Sequence, residues 1–207
     1  MKMKKALMVL MCAIAATGCA VGNKYNYSAG DLNLPVKTTA TKGLVLKVED
    51  RRPYVVNGDK KPQFVGIQRG GLGVPFDVTT VSGEPLVSDM ATSIKKGLEQ
   101  SGYHVTVVPD ASDLSSLLLA VRDGGAFRLL WLKVDEWKSD IYMDIGLSYD
   151  LLLEVYDATG KKLAESRIHS KDSESVGGAK LFASQTSEYL VQEFAKLIGY
   201  LFNKKSV

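Results

Sequence analysis

Sulfur and imidazole are scarce in this chain, and their scarcity excludes whole classes of chemistry. Of 207 residues only Cys12 and Cys19 are cysteine, and only His104 and His169 are histidine. Nothing beyond Cys19 carries a thiol, so the body of the chain has no disulfide staple, no cysteine zinc cluster and no thiol nucleophile, and must be stable through its core. No His-x-x-x-His or His-Glu-x-x-His occurs, and no acidic cluster has metal-ligand spacing, so no metal and no cofactor are expected. Past Cys19 no stretch approaches 18 uninterrupted apolar residues, which excludes a second membrane crossing by a helix. Net charge is missing too. The formal +3 comes from Lys2, Lys4 and Lys5; removing these from the 26 basic residues leaves 23, equal to the 23 acidic ones. A neutral body lacks the basic stripe that releases counterions from nucleic acid, so no nucleic-acid partner is expected.

What is present is concentrated first in the leader. Lys2, Lys4 and Lys5 are followed by an apolar run from Ala6 to Ala15, too short to cross the ~30 Å hydrocarbon core of a bilayer. The run ends in Ala16-Thr17-Gly18-Cys19. Small residues ahead of a cysteine in this position resemble the lipobox of bacterial lipoproteins. The resemblance implies cleavage before Cys19, a diacylglyceryl thioether on its sulfur and a further acyl chain on the new amino group. It divides the chain into a signal peptide over 1–18, a lipidated cysteine with a flexible tether over 19–42, and one periplasmic domain over 43–207. Ala20, standing where enterobacterial lipoproteins retained in the inner membrane have aspartate, implies the periplasmic face of the outer membrane. The competing reading is an ordinary secretory leader cut near a cysteine.

From Ala20 to Lys42 the residues are mostly Gly, Asn, Ser, Thr and Lys, and no period persists. That composition predicts a flexible tether with a mean span of roughly 25 Å, the alternative being that Tyr25, Tyr27, Leu32 and Leu34 dock on the domain as an extra strand. Beyond it, Leu44, Leu46 and Val48 alternate in a strand over 43–50. Residues 51–81 hold too many glycines and prolines for a helix and form a long loop, in which Phe64, Val65 and Ile67 could make one strand of a hairpin. Leu86, Met90, Ile94, Gly97 and Leu98 recur at helical spacing over 83–102, with Gly102 as the stop. A strand at 103–108, a short helix at 113–122, and strands at 127–138, 147–156 and 161–170 follow, the last two joined by Asp157-Ala158-Thr159-Gly160. A long helix runs from beyond Gly178 to about Asn203. The predicted fold is α+β: an antiparallel-rich sheet of about 4–5 strands with two long helices packed on one face.

The lipobox, the polar tether, a first strand ending in Asp50-Arg51-Arg52-Pro53, a helix ending in Gly97-Leu98-Glu99-Gln100-Ser101-Gly102-Tyr103, and a closing meander with a C-terminal helix together resemble the YajG family of bacterial lipoproteins. More distantly the layout is similar to lipoproteins that assist lipopolysaccharide assembly and lipid transport. The resemblance implies location and fold, and no mechanism.

Catalytic signals are thin. Ser93-Ile94-Lys95-Lys96 matches the Ser-x-x-Lys of penicillin-binding enzymes but has no Lys-Thr-Gly partner. Gly70-Gly71-Leu72-Gly73 lacks the lysine of a phosphate loop and reads as a turn. Glu49, Asp50, Asp135, Glu136, Asp140 and Asp144 include potential acid–base pairs but read as charged strand faces. Trp131 and Trp137, six apart on one strand, would share a face, either in the core or as a binding platform. Loops beyond about 15 residues tend to be functional or disordered, and 51–81 is too apolar for disorder. Arg51, Arg52, Phe64, Ile67, Arg69 and Phe76 therefore mark a partner surface, with Trp131 and Trp137 next, and the loop should then be removable without unfolding the domain; the equal alternative is a hairpin that merely extends the sheet. The resulting reading is a lipid-anchored, non-enzymatic accessory in envelope assembly or transport. It would meet the membrane through its acyl chains and an envelope protein through its surface, in an oligomeric state left open. The alternatives are a periplasmic enzyme on peptidoglycan or lipid, and a carrier of a lipid chain.

Overall fold

The computed structural model describes residues 23–38, 42–110, 113–170, 174–178 and 183–203; the leader and Cys19 lie outside them. In chain order the elements are β1 (Lys24–Tyr25), a 3-10 turn (Tyr27–Ala29), β2 (Lys42–Asp50), α1 (Pro53–Val56), β3 (Phe64–Arg69), β4 (Pro75–Thr80), α2 (Leu86–Gln100), β5 (Tyr103–Val107), α3 (Leu114–Asp123), β6 (Arg128–Ile141), β7 (Asp144–Asp157), β8 (Lys162–His169), β9 (Glu174–Gly178) and α4 (Ala183–Asn203). Helix ends follow local chemistry. Asp113 caps α3 by accepting from the Ser116 N–H at 3.0 Å, and Gly102, at φ +94°, stops α2 as predicted.

The nine strands form one sheet, larger and more mixed than predicted. Its spine is the antiparallel hairpin of β6 and β7, 14 residues each, long enough for each outer edge to take two strands end to end. On the free edge of β6, β2 pairs in parallel with residues 128–134 and β3 pairs in parallel with residues 139–141. On the free edge of β7, β8 and β9 pair antiparallel in the same divided way. Parallel pairing is what strand–helix–strand order requires, because a tight turn reverses direction and only a crossover restores it. From β2 the chain passes through the β3–β4 hairpin and α2 before β5, and from β5 through α3 before β6, so β5 and β6 both return parallel to β2 and the sheet is mixed.

Two cores flank the sheet. The long helices α2 and α4 share one face, where Leu86, Met90, Ile94, Leu98, Leu190, Phe194, Ile198 and Leu201 pack on Leu46, Leu132, Leu151 and Leu153. The short α3 covers part of the other, with Leu117 and Val121 against Val45, Leu129, Trp131 and Tyr156.

Three expectations change. The segment expected to be a flexible tether is core structure from Asn23 to Thr38: Tyr25, Tyr27, Leu32 and Leu34 are 0–3 % exposed, β1 pairs in parallel with β4, and the chain then crosses α2 at Gly97. A Cβ on Gly97 would come within 2.8 Å of the Leu32 carbonyl oxygen, so this crossing needs glycine. The long loop 51–81 is a helical turn followed by the β3–β4 hairpin. Val65 and Val78 in it are fully buried, so the hairpin is not removable. Finally, Trp131 and Trp137 face opposite sides. A β-bulge between Val134 and Glu136 inserts Asp135 as an unpaired residue and reverses the alternation, which puts Trp137 in the main core and Trp131 in the smaller one.

Candidate functional site

The divided edge of β6 leaves a breach over residues 135–138, between the end of β2 and the start of β3. Arg52 fills it. Its guanidinium is completely buried, grips Asp50 with two bonds of 2.8 and 2.7 Å, and donates to the carbonyl oxygens of Phe64 at 2.6 Å, Pro62 at 3.2 Å and Trp137 at 3.5 Å. Backbone carbonyls at the breach thus find a donor in this side chain, Pro62 sharing it with the Leu86 N–H and Trp137 with the Tyr54 hydroxyl. Burial works against the charged guanidinium, and the bonds to Asp50 outweigh it, raising the Arg52 pKa. Beside it the Tyr54 hydroxyl donates to Glu136 at 2.6 Å, with its ring edge-on to Phe64 at 5.5 Å. Gly66 completes the seam, since a Cβ there would stand 2.1 Å from the Ser139 hydroxyl.

This arrangement disperses the predicted partner surface. Arg52, Phe64 and Trp137 are 0 %, 3 % and 0 % exposed and cannot meet a partner. Trp131 is buried as well. Its indole N–H donates to Glu49 at 3.0 Å and its face is covered by the Lys133 ammonium at 4.2 Å. Arg51 is exposed and pairs with Asp135 at 3.2 Å. Ile67, Arg69 and Phe76 are half-buried along the distal part of the β3–β4 hairpin, but Phe76 stands opposite Gln68 and so on the face away from Ile67 and from Arg69, which forms a two-point bond to Asp140 at 2.9 and 2.6 Å. Cys19 lies outside the described residues.

The potential acid–base carboxylates are mostly occupied with structure. Asp50 binds Arg52, Glu49 binds Trp131, Glu136 binds Tyr54, Asp140 binds Arg69, and Asp135 binds Arg51 and Arg167. Glu154 is the most perturbed. Burial would raise its pKa, but bonds from Lys133, Lys162 and Tyr156 overcome that and hold it at about 2. In the Ser-x-x-Lys pattern Ser93 is fully buried and donates to the Tyr27 carbonyl, while Lys96 faces solvent. Among the described residues no group of three His, Cys, Asp or Glu could hold a metal.

Open grooves mark the surface of the described residues. One of about 910 Å³ lies at the C-terminal ends of β2 and β5 beneath α2, with Lys47, Glu49, Asp50, Glu84, Lys95 and Asp110 on its walls. One of about 600 Å³ separates α4 from β7 and β8, lined by Tyr149, Arg167, His169, Tyr189, Lys196 and Tyr200. A third, about 690 Å³, follows the N-terminal segment over α2. An apolar cavity among Val36, Leu98, Phe127 and Phe202 holds only about 50 Å³, well below the roughly 300 Å³ at which ligand pockets begin.

A fourth surface was not legible as a unit. The register Gln68 to Ile141 sets the β3–β4 turn at 70–74 beside the β6–β7 turn at 142–143. Together they expose Leu72, Val74, Tyr142 and Met143 at 96 %, 52 %, 46 % and 72 %. The available signal was Tyr142-Met143 at a hairpin turn, a position that ordinarily takes Gly, Asn, Asp or Pro.

No protein-family model matches the chain, and no curated protein does. Solved structures resemble it weakly. Protein XCC0632 from Xanthomonas campestris, of family DUF330, has 12 % identity and a TM-score of 0.45 over 83 % of this chain and 91 % of that one. Lipoprotein GNA1162 from Neisseria meningitidis has 16 % identity and a TM-score of 0.33 over 78 % and 99 %. The C-terminal domain of LpoB from Escherichia coli has 11 % identity and a TM-score of 0.35 over 72 % and 100 %. None of the three bears on the YajG resemblance, and likenesses this weak carry nothing about function.

Proposed function

We propose that this protein is a lipid-anchored accessory of the bacterial cell envelope, held by Cys19 at the periplasmic face of the outer membrane and acting through contacts with envelope components rather than by catalysis. The observation that carries the reading is the continuity between anchor and core. Among the described residues the core begins at Tyr25, a few residues past the lipobox-like cysteine, so a chain cut before Cys19 keeps all of the described buried residues, with β1 already on the sheet. The commitment of the carboxylates and of Ser93 to structural bonds supports a contact role over an enzymatic one. The small size of the apolar cavity weighs against a lipid carrier.

Replacement of Cys19 by serine tests the anchor. The expected product retains its leader, by mass, and carries no acyl chain. A Cys19→Ser protein that is still cut at residue 19 and sediments with membranes as before refutes the reading. Density-gradient fractions test the membrane: the protein should follow outer-membrane markers, and co-migration with inner-membrane markers would reverse the assignment drawn from Ala20. In-cell crosslinking from exposed positions should capture an envelope protein.

A further inference from the structure

We infer that the paired hairpin tips at 70–74 and 142–143 form a second membrane contact, holding the domain end-on against the same bilayer that receives the acyl chains of Cys19. The inference rests on the lipid-anchored reading above and adds an orientation to it. Because β1 runs parallel to β4, with Lys24 opposite Thr79, the backbone followed back from Tyr25 to Asn23 points toward the Pro75 end of β4, which is the tip of the β3–β4 hairpin. Four Cα steps separate Cys19 from Asn23, a reach of at most about 14 Å. Pro75 lies only about 10 Å along β4 from Val78, the neighbour of Thr79. That reach keeps acyl chains on Cys19 within range of the tips and leaves the domain little room to stand clear of the membrane.

The tips have the chemistry for that position. From Gly70 to Phe76 there is no charged residue, and Leu72 is almost wholly exposed. Beside it Tyr142 supplies an aromatic ring with a polar end, the kind of side chain that favours the headgroup boundary, and Met143 adds a flexible apolar one. Directly behind them Arg69 and Asp140 neutralise each other. The opposite end of the sheet is of another kind. There the β7–β8 turn is Asp157-Ala158-Thr159-Gly160, whose Asp157 carboxylate accepts from Thr159 and Lys161 N–H groups. Asp144, exposed next to Met143, stands at the rim of this apolar tip, where its carboxylate stays in the hydrated headgroup layer. The tip enters a bilayer through burial of its apolar side chains, so it should not require anionic lipid.

The test uses the full-length acylated protein in vesicles of phosphatidylethanolamine and phosphatidylglycerol, some carrying a lipid-borne quencher. A polarity-sensitive fluorophore is attached to Leu72→Cys, Met143→Cys or, as control, Leu119→Cys. Leu119 is 53 % exposed on α3, the helix whose Leu118 abuts the Gly160 turn at the far end. Tips buried some 5–10 Å into the interface should be quenched about threefold more than the control. The excess should persist when phosphatidylglycerol is omitted. Equal quenching at all three sites, in protein whose Cys19 is acylated by mass, overturns the tip contact and leaves the anchor reading standing. Protection of the tips in intact envelopes but not in lipid vesicles assigns them to a protein and also overturns it. An unmodified Cys19 overturns the anchor reading and this inference together.

Discussion

The segment from Asn23 to Thr38 and the tip of the β3–β4 hairpin have opposite compositions and opposite fates. The first is largely polar, yet its four large apolar side chains Tyr25, Tyr27, Leu32 and Leu34 are buried. The second is uncharged and apolar, yet Leu72 and Val74 stand in solvent. Composition averages over a stretch, whereas burial is decided residue by residue. In the N-terminal segment Tyr25 alternates with Asn26 and Tyr27, and Leu32 with Asn33 and Leu34, so a polar stretch can still present one apolar edge. At the hairpin tip the strands have run out, and among the described residues no helix lies beyond to cover what the turn displays.

The largest effects should come from cutting what the N-terminal segment holds. The Tyr27 ring meets Trp137 and Phe194 edge-on at 5.7 and 5.5 Å, so Tyr27→Ala should destabilise the domain by about 3–5 kcal/mol in urea titration. A loss below about 1 kcal/mol would mean that the segment merely rests on the fold. A comparable loss of about 3–5 kcal/mol is expected for Arg52→Ala, which strands the Asp50 carboxylate and the Phe64 carbonyl in the breach. Its neighbour Arg51, exposed and paired only with Asp135, should cost at most about 1 kcal/mol when truncated to alanine. Gly97→Ala pushes a methyl group toward the Leu32 carbonyl and should cost about 1–3 kcal/mol, read by thermal unfolding. No change there would place the N-terminal segment away from α2.

Acid gives a smaller effect on the other face of the sheet. The pKa of Glu154 is lowered from 4.5 to about 2 in the folded protein, so its contribution is present above pH 4.5 and lost as pH falls from 4.5 toward 2. The loss should be on the order of 1–2 kcal/mol, and Glu154→Gln should flatten that part of the stability profile. The least effect belongs to the tip. Leu72→Ser should leave stability within about 0.5 kcal/mol, because an exposed side chain has no packing to lose. If it destabilises like Tyr27→Ala, the tip is packed in solution and the contrast between the two regions fails.

Periodic elements were legible and their partners were not. The apolar spacing of Leu86, Met90, Ile94 and Leu98, stopped by Gly102, specifies α2. The alternation from Leu147 to Val155 specifies most of β7. The turn at Asp157-Gly160 specifies the reversal that follows. Arg52 and Phe64 illustrate the limit. Cationic and aromatic residues in a glycine-rich stretch read as a binding surface, but the breach in the β6 edge turns Arg52 into a buried clamp and Phe64 into its acceptor. The tip of Leu72, Val74, Tyr142 and Met143 is similar in kind, since its two halves are some 70 residues apart in the chain and meet only because β3 pairs in parallel with β6.

By itself the sequence determined the absence of thiol chemistry from the body of the chain, its neutral charge, the α+β class and the position of each long helix, because composition and local period act over a few residues. Only the tertiary structure decided which strands pair in parallel, that a single inserted residue at Asp135 turns Trp131 and Trp137 to opposite faces, and that residues 23–38 belong to the core. Those outcomes depend on which surfaces are left for a strand or side chain to cover once β6 and β7 are in place, and that is a property of the assembled sheet.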